Sequence, residues 1–546
     1  MSENLRKLSG RKGLDNNLFE QLVNSSKAEG TPTDEKLKDL AWEYLMGNAN
    51  TYGAGSFYDF LKKENKGKKA YVCNGSACLV ADTQEKVTET LAKNFSKDEI
   101  GEMCCMGRCH ENSAFNVRGR NYSGMAINNL KKILSSEVSG LEKYNVAANV
   151  SNPVLTGTPL NAESFKALFV KADAMGVKNI LNEIDNANVR GRGGAGFSMG
   201  FKWESCRITE SDQKFIVCNA DEGDPGAYSD RYLLEVQPYS VLFGIMMAGL
   251  VVGADRGVVY LRAEYSEAIN ITQLAIDELT RIGMNGTNIG GTGFDFTFKI
   301  IEGAGAYVCG EETALLSSIE GQRPEVRVRP PYPTQEGLFG KPTIVNNVET
   351  LATVPWILEN GGEAYANFGT QKSTGTKLVC LDSFFNKPGM YEIEMGTPLS
   401  TIVEEFGGGF KSEVKALHIG GPLGGIIPTH KISDLELDFE SFQKQGFLLG
   451  HASVVSIPKE FSMVKYIEHL FEFTAVESCG KCFPCSIGSV RGKEMFANAQ
   501  QGEPINQELL DDLLETMEIG SLCALGGGLP LGVKNALQYF KEEIIK

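Results

Sequence analysis

Histidine is scarce in this chain of 546 residues. Only His110, His418, His430, His451 and His469 occur, and no two stand four apart, the spacing that sets both on one helix face. This argues against a helical His-ligated metal site and against a His-based nucleophile relay. Basic residues are also in the minority, 53 Lys and Arg against 69 Asp and Glu, a net charge of −16. That balance argues against nucleic acid or an anionic membrane surface as partner. Long apolar runs are missing: the longest, Val241–Val252, includes two glycines and is too short to cross a bilayer. It reads as a buried helix, without direct membrane insertion. The opening MSENLRKLSGRKG has no apolar core for a secretory leader, so the expectation is a soluble, cytoplasmic protein of several domains.

Cysteine, by contrast, is plentiful. Thirteen in a chain with no leader point to metal rather than disulfides. Cys73 and Cys78 form C-x4-C, and Cys105 and Cys109 form C-x3-C. Four thiolates on two loops can ligate a [2Fe-2S] cluster; zinc and a redox disulfide pair stay open at this spacing. Cys104 reads as a spare beside the ligands. Near the C-terminus Cys479, Cys482 and Cys485 form C-x2-C-x2-C, with Cys523 far downstream. Three thiolates on one turn and a remote fourth favour [4Fe-4S] over zinc. A helix over Ile487–Ala499 would aim its N-terminus at the anionic cluster.

Taken in order, residues 1–70 read as amphipathic helices, with Asp34–Met46 the clearest. Lys69–Val72 and Ala114–Val117 read as strands and Thr83–Asn94 as a helix. Residues 132–160 read as a linker and irregular lead-in, followed by helices at Ala162–Met175 and Ile180–Asn186. The stretch Gly191–Phe197 matches G-x-G-x-x-G letter for letter. A dinucleotide fingerprint needs a strand immediately before it, and here a helical segment precedes. What remains is a loop of free N–H groups, with Arg190, Arg192 and Lys202 adding positive charge, suited to a phosphate.

Strand Lys214–Asn219 runs straight into Asn219, Asp221, Glu222 and Asp224, at the kind of strand end where open α/β sheets bind ligands. Strands Gly257–Arg262 and Phe296–Ile301, with helix Ser266–Gly283, continue a β–α alternation that predicts a mostly parallel sheet. Then comes Glu302–Gly321, where Gly303, Gly305 and Gly310 permit tight turns close to a flat ligand. Glu311 and Glu312 suit hydrogen-bond donors rather than a phosphate.

Four segments, GRGGAGF, CNADEGDPGAYSDR, EGAGAYVCGEETALLSSIEG and PPYPTQEGLFGKPTIVNNVET, together resemble the NADH-binding flavoprotein subunit of respiratory complex I. The same unit occurs in NAD-linked hydrogenases, formate dehydrogenases and electron-bifurcating enzymes. The resemblance runs from about Leu155 to the C-terminus. The N-terminal cysteine pattern resembles the thioredoxin-like [2Fe-2S] ferredoxin of the same complexes.

The resemblance implies an α/β multidomain chain. Residues 1–135 would hold a helical cap and thioredoxin-like [2Fe-2S] domain, and 155–370 a Rossmann-like FMN/NADH domain. Residues 375–450 would form a small β-grasp-like domain, to which no chemistry is assigned, and 455–546 a helical bundle with a [4Fe-4S] cluster. Gly191, Arg192, Gly194 and Lys202 would hold the FMN phosphate and ribityl chain. Asn219, Asp221, Glu222, Gly310, Glu311, Asn346 and Asn347 would line the flavin, with Tyr307 close by. Phe197, Glu312, Arg329 and Tyr332 would face NADH.

Cys479, Cys482, Cys485 and Cys523 would hold [4Fe-4S], and Cys73, Cys78, Cys105 and Cys109 [2Fe-2S]. Departures are local: Ser198-Met199 stands where Pro-Thr is common, Arg329 where a Lys often sits, and Ser205 where relatives offer an aromatic. The expected activity is that of an NADH dehydrogenase-type (diaphorase) subunit in which FMN, rather than any side chain, carries hydride transfer. The partner would be another redox subunit of a hydrogenase, formate dehydrogenase, complex I-like or bifurcating complex. The alternative is a flavin-free iron–sulfur transfer or scaffold subunit.

Overall fold

Four parallel strands form the sheet on which the cofactor region is built: Phe215–Ala220, Arg256–Leu261, Thr297–Glu302 and Thr343–Asn347. A computed structural model describes residues 13–135 and 141–545. In it the strands lie side by side as third, second, first and fourth in chain order. The direction of winding therefore reverses between Phe215–Ala220 and Thr343–Asn347, and such a switch opens a crevice beyond the strand ends. Successive side chains alternate faces: Ile216 and Cys218 join one buried cluster, Phe215 and Val217 another. The sheet is thus covered on both sides.

On one side lies helix Pro238–Val252, buried along nearly its whole length, as read from its apolar run. Its Gly244 meets helix Val348–Ala352 so closely that a Cβ would stand 2.1 Å from the Leu351 carbonyl oxygen. Among the described residues no single helix is long and apolar enough to cross a membrane.

The other side is covered by helix Glu312–Ile319 and by the N-terminal helices Leu18–Glu29, Asp34–Glu43 and Asn48–Gly55. Phe19, Leu22, Leu40 and Tyr58 pack there with Leu315, Leu316 and Ile319. Tyr58 also donates its hydroxyl to Ser318 Oγ at 2.8 Å. The N-terminal helices therefore brace the Gly-rich loop from outside. The first twelve residues of the segment read as amphipathic helices lie outside the described residues.

A second sheet has the order Ile100–Met103, Ala70–Cys73, Phe115–Val117, Arg120–Tyr122. Its first pair is parallel and the rest antiparallel. The third is six-stranded: Gly425–Pro428, Val414–Ile419, Ser453–Pro458, Thr376–Leu381, Gly389–Glu394 and Asn145–Ala148. Its last strand lies within the stretch read as linker, so that reading needs correction. Asn145–Ala148 runs parallel to Gly389–Glu394 along the sheet edge, and an edge strand needs no apolar alternation to pair. The C-terminal part is helical: Met463–Glu477, Gly488–Gln500, Gln507–Gly520 and Ala524–Tyr539.

Candidate functional site

The crevice at the winding switch is a cleft of about 940 Å³. Gly191, Gly193 and Gly194 enter it from the loop before the first strand, and Asn219, Asp221 and Glu222 from the end of that strand. Tyr307, Gly310, Glu311 and Glu312 come from the third βα connection, and Asn346 and Asn347 from the fourth strand. Phe197, Lys202, Arg329 and Tyr332 also line it.

Of the residues expected to bind FMN or NADH, Arg192 alone is not in the cleft wall. Its side chain is fully buried, with Nη2 donating to the Tyr365 hydroxyl at 3.2 Å and the Thr374 carbonyl at 2.5 Å. It lies behind the glycine loop, with Nε and Nη1 unpartnered among the described residues. Arg190 is also engaged elsewhere, over the Phe439 ring at 4.2 Å and ion-paired to Glu440 at 2.5 Å.

The local sequence explains the loop shape. Helix Val177–Ala187 precedes the glycines, ending at Asn188 in the left-handed region. Gly191 N–H donates to the Phe197 carbonyl at 2.8 Å, closing the loop, and Ser198 caps helix Met199–Ile208. Lys202 follows on that helix; its Nζ donates to the Val345 carbonyl at 2.9 Å and to Glu312 at 3.1 Å.

Glu312 also accepts from Arg329 at 2.9 Å, so one carboxylate holds two cations at the mouth. Glu311 caps helix Glu312–Ile319, its Oε2 accepting from the N–H groups of Thr313 and Ala314 at 2.9 Å. Half of that carboxylate is therefore committed to the helix. Asn219 ties two loops together by donating to the Gly310 carbonyl at 2.8 Å. Asn346 accepts from Trp203 Nε1 at 2.9 Å. Burial pushes the Asp221 carboxyl well above its usual range, and its Oδ2 has no partner among the described residues. Burial also lifts Asp224, which accepts from the Tyr307 hydroxyl at 2.6 Å.

Each cysteine set converges beside this cleft. Cys73, Cys78, Cys105 and Cys109 are all buried in one cluster, with the Cys105 and Cys109 sulfurs 3.4 Å apart. Three backbone N–H groups point at these sulfurs: Gly75 to Cys73 at 3.4 Å, Gly107 to Cys105 at 3.4 Å and Gly226 to Cys109 at 3.3 Å. Gly226 belongs to the acidic loop whose Glu222 and Asp224 line the cleft. Cys479, Cys482, Cys485 and Cys523 gather with Val308, Tyr307 and Leu525 in another cluster. Cys523 itself lines the cleft and precedes helix Ala524–Tyr539, whose Gly526 abuts Cys485. Cys104, the spare, is half-buried; its carbonyl accepts from Arg262 at 3.0 Å. Cys206, Cys218, Cys309 and Cys380 are buried individually in the core.

The donor sets fit the groups they are expected to hold. Four buried thiols with N–H donors aimed at their sulfurs suit an anionic iron–sulfur cluster. Glycine N–H groups, a lysine, asparagines and carboxylates around a cleft of this size suit a flavin nucleotide.

Some of the wall was not anticipated. Gly420, Leu423, Leu448, Gly450 and His451 reach the cleft from around the six-stranded sheet, to which no chemistry had been assigned. The glycine run Gly420–Gly425 was the one visible signal. Gly421 lies so close to Asp224 that a Cβ would stand 2.4 Å from its carboxyl carbon.

A nucleotide cleft at a parallel-sheet switch point, with thiol clusters on two sides, defines a cofactor-carrying redox protein. Comparison with known proteins narrows the class. Residues 184–356 match the Nuo51 FMN-binding domain, 465–546 the NADH-ubiquinone oxidoreductase-F iron-sulfur binding region, and 7–137 the thioredoxin-like [2Fe-2S] ferredoxin. The chain is 41% identical over 370 residues to a subunit of the NADH-quinone oxidoreductase of Escherichia coli (strain K12), covering 67% of this chain and 83% of the relative. It is 32% identical over 519 residues to NAD-reducing hydrogenase HoxS subunit alpha of Cupriavidus necator, covering 89% and 84%. A chain of NAD+-reducing [NiFe]-hydrogenase in the H2-reduced state superimposes with a TM-score of 0.85 at 27% identity, over 97% of this chain and 92% of that one. The chain belongs to the family of NADH-dehydrogenase-type flavoprotein subunits shared by NADH-quinone oxidoreductases and NAD-reducing hydrogenases.

Proposed function

We propose that the cleft seats FMN against the glycine loop, the acidic strand end and Gly310, with NADH entering at the mouth between Phe197, Glu312, Arg329 and Tyr332. The chain is the flavin- and NADH-binding subunit of a larger redox complex, passing electrons between NAD(H), FMN and iron–sulfur clusters. When bound, the flavin exchanges an electron pair with NAD(H) and single electrons with iron–sulfur clusters.

The protein's part is to bind, orient and seal. The Gly193 and Gly194 N–H groups and Lys202 offer the positive end of the site to a phosphate, while the Gly191 and Arg192 N–H groups hold the loop by donating to the Phe197 carbonyl and the Thr350 hydroxyl. Asn219, Asn346 and Asn347 keep the floor rigid: Asn347 Nδ2 donates to Asp230 Oδ2 at 2.6 Å while its Oδ1 accepts from Thr350 N–H at 3.2 Å. Tyr307 joins the cleft to the C-terminal helices, its ring edge-on to Phe473 at 4.9 Å and its N–H donating to Glu477 at 2.8 Å. No side chain is assigned as acid or base.

The observation that carries this reading is Cys523 in the wall of the same cleft as the glycine loop and the asparagines. A [4Fe-4S] centre on Cys479, Cys482, Cys485 and Cys523 would border the flavin directly, and a [2Fe-2S] centre on Cys73, Cys78, Cys105 and Cys109 would lie behind the acidic loop.

We further assign a thioredoxin-like region to 1–135, a Rossmann-like region to 155–370, a β-grasp-like region to 375–450 and a helical cluster-binding bundle to 455–546. The 3-2-1-4 strand order supports the second of these. The six-stranded sheet reaches beyond 375–450 on both sides. The redox partner would dock as another subunit, in the cytoplasm, where NADH is supplied. Anaerobic reconstitution with FMN, iron and sulfide tests the reading. Flavin absorption, iron in both clusters and NADH-driven dye reduction are the expected result, and a chain that binds iron but no flavin refutes it.

A further inference from the structure

Of the five histidines, only His451 lines the cleft. It stands just before strand Ser453–Pro458, where Gly194 lies against the turn: a Cβ on Gly194 would be 3.9 Å from His451 N. The side chain is 6% exposed. Nε2 lies 3.4 Å from Asp230 Oδ2 and 3.8 Å from Glu222 Oε1. Nδ1 and Asp230 Oδ1 have no partner among the described residues. A buried imidazole in a cleft wall, with one ring nitrogen on a carboxylate and the other unpaired, is not a satisfied core histidine.

Ligand atoms of Glu222, Asp230 and His451 lie within 4.8 Å of one another, which would admit a divalent cation. Glu222, however, is already engaged. Its Oε1 accepts from Ser229 Oγ at 3.2 Å and Asp230 N–H at 2.9 Å, and its Oε2 from Arg231 N–H and the Tyr265 hydroxyl, each at 3.1 Å. With that carboxylate taken up, a proton on the imidazole fits better than a metal. Asp224 faces the imidazole as well, and the nearby cation, Lys377, is paired with Glu349.

We infer that His451 is a positioning residue of the flavin site: as an imidazolium it offsets Asp230 from within the cleft wall, so that the wall beside the Gly194 loop does not repel the anionic flavin nucleotide. This rests on the placement of FMN in the cleft. Burial opposes the charged ring, but the hydrogen bond and charge of Asp230 prevail and raise His451 to about 9. Burial, then the charge of Asp230, raises Glu222 to about 8. A raised imidazole is charged below its folded pKa and neutral above it, so its offset of Asp230 is lost as the pH rises through about 9.

The test is the FMN dissociation constant of the full cluster-loaded chain, read by flavin fluorescence quenching from about pH 7 to about pH 10. The unmodified chain should weaken near pH 9. His451→Gln should bind about tenfold more weakly at neutral pH and lose that step. Asp230→Asn should move the step to lower pH, because burial then acts on the ring without its carboxylate. A flat profile in the unmodified chain overturns the inference, as does a Gln variant with unchanged affinity and pH dependence. One equivalent of zinc bound by the unmodified chain and lost in His451→Gln overturns it in favour of a metal. Failure of the unmodified chain to bind FMN would overturn the cleft reading and this inference together, whereas FMN binding indifferent to His451 overturns the inference alone.

Discussion

Gly223 sits between two acidic cleft residues, and a Cβ there would stand 2.6 Å from Cδ2 of Tyr307. A tyrosine ring edge in van der Waals contact cannot yield that much without moving as a unit. Tyr307 is in turn held by Asp224 and Phe473. Gly223→Ala is therefore expected to cost about 1–3 kcal/mol and to weaken FMN roughly tenfold by shifting Tyr307; a flavin titration of the variant that overlays the unmodified chain refutes it. On the proposed entry of NADH at the mouth, Glu312 would repel an added 2′-phosphate; its carboxylate also occupies Lys202 and Arg329. Glu312→Gln frees both cations, so the kcat/KM ratio of NADPH to NADH in a dye assay should rise about tenfold or more. An unchanged ratio would show that selectivity lies elsewhere.

At the scale of elements, the strand Val414–Ile419 and the helix Met463–Glu477 are joined through a neutral imidazole. His418 Nδ1 accepts from the Tyr466 hydroxyl at 2.8 Å and Nε2–H faces the Gly424 carbonyl at 3.3 Å. One ring nitrogen must therefore be bare, and burial pushes His418 down to about 4. Burial does the same to His469 on that helix. Lowered imidazoles bind their proton more readily in the unfolded chain, so stability is present above the usual histidine range and lost as the pH falls toward about 4. Between about pH 6.5 and about pH 5 each should cost about 1.5 kcal/mol. Denaturant midpoints should fall accordingly, with a shallower fall in His418→Gln; equal slopes would assign the loss to other groups.

The elements also show how far local sequence reaches. Helix Ala162–Met175 has the bounds its pattern predicts because Asn161 caps it by a local bond to Ser164 N–H and Gly176 ends it. Three of the four parallel strands were legible to within a residue or so, since burial on both faces leaves continuous apolar runs; the fourth, Thr343–Asn347, was not read as a strand. Nor was strand Asn145–Ala148: it is a half-buried edge, defined by its partner Gly389–Glu394 and not by its own composition. The motif residues of the cleft were visible as motifs. Arg192 carried the same motif signal but lies outside the cleft wall, since spacing says nothing of which way a side chain turns. His451 had no local signal, since its role comes from Asp230 and Glu222, more than two hundred positions earlier in the chain.

Over the whole molecule, two cluster sites approach one cleft from different sides and through different contacts. The C-terminal thiols reach it through Cys523 in the wall, with Tyr307 and Phe473 packed alongside. The N-terminal thiols reach it through the acidic loop, where Gly226 N–H meets Cys109 and Arg262 links the Glu222 and Cys104 carbonyls. Each cysteine set thus has its own contact at the cleft, although Cys104 also packs against the C-terminal thiols, and on these contacts the clusters should fill and reduce independently. Cys523→Ser should lose the [4Fe-4S] signal in electron paramagnetic resonance while anaerobic NADH still reduces the [2Fe-2S] centre. Cys109→Ser should do the reverse, leaving a [4Fe-4S] centre that NADH reduces. Each variant should retain FMN, because neither sulfur is needed by the glycine loop or the asparagine floor. If losing the C-terminal cluster leaves the N-terminal one oxidised under excess NADH, the centres are wired in series, and the two contacts seen at the cleft are not two routes.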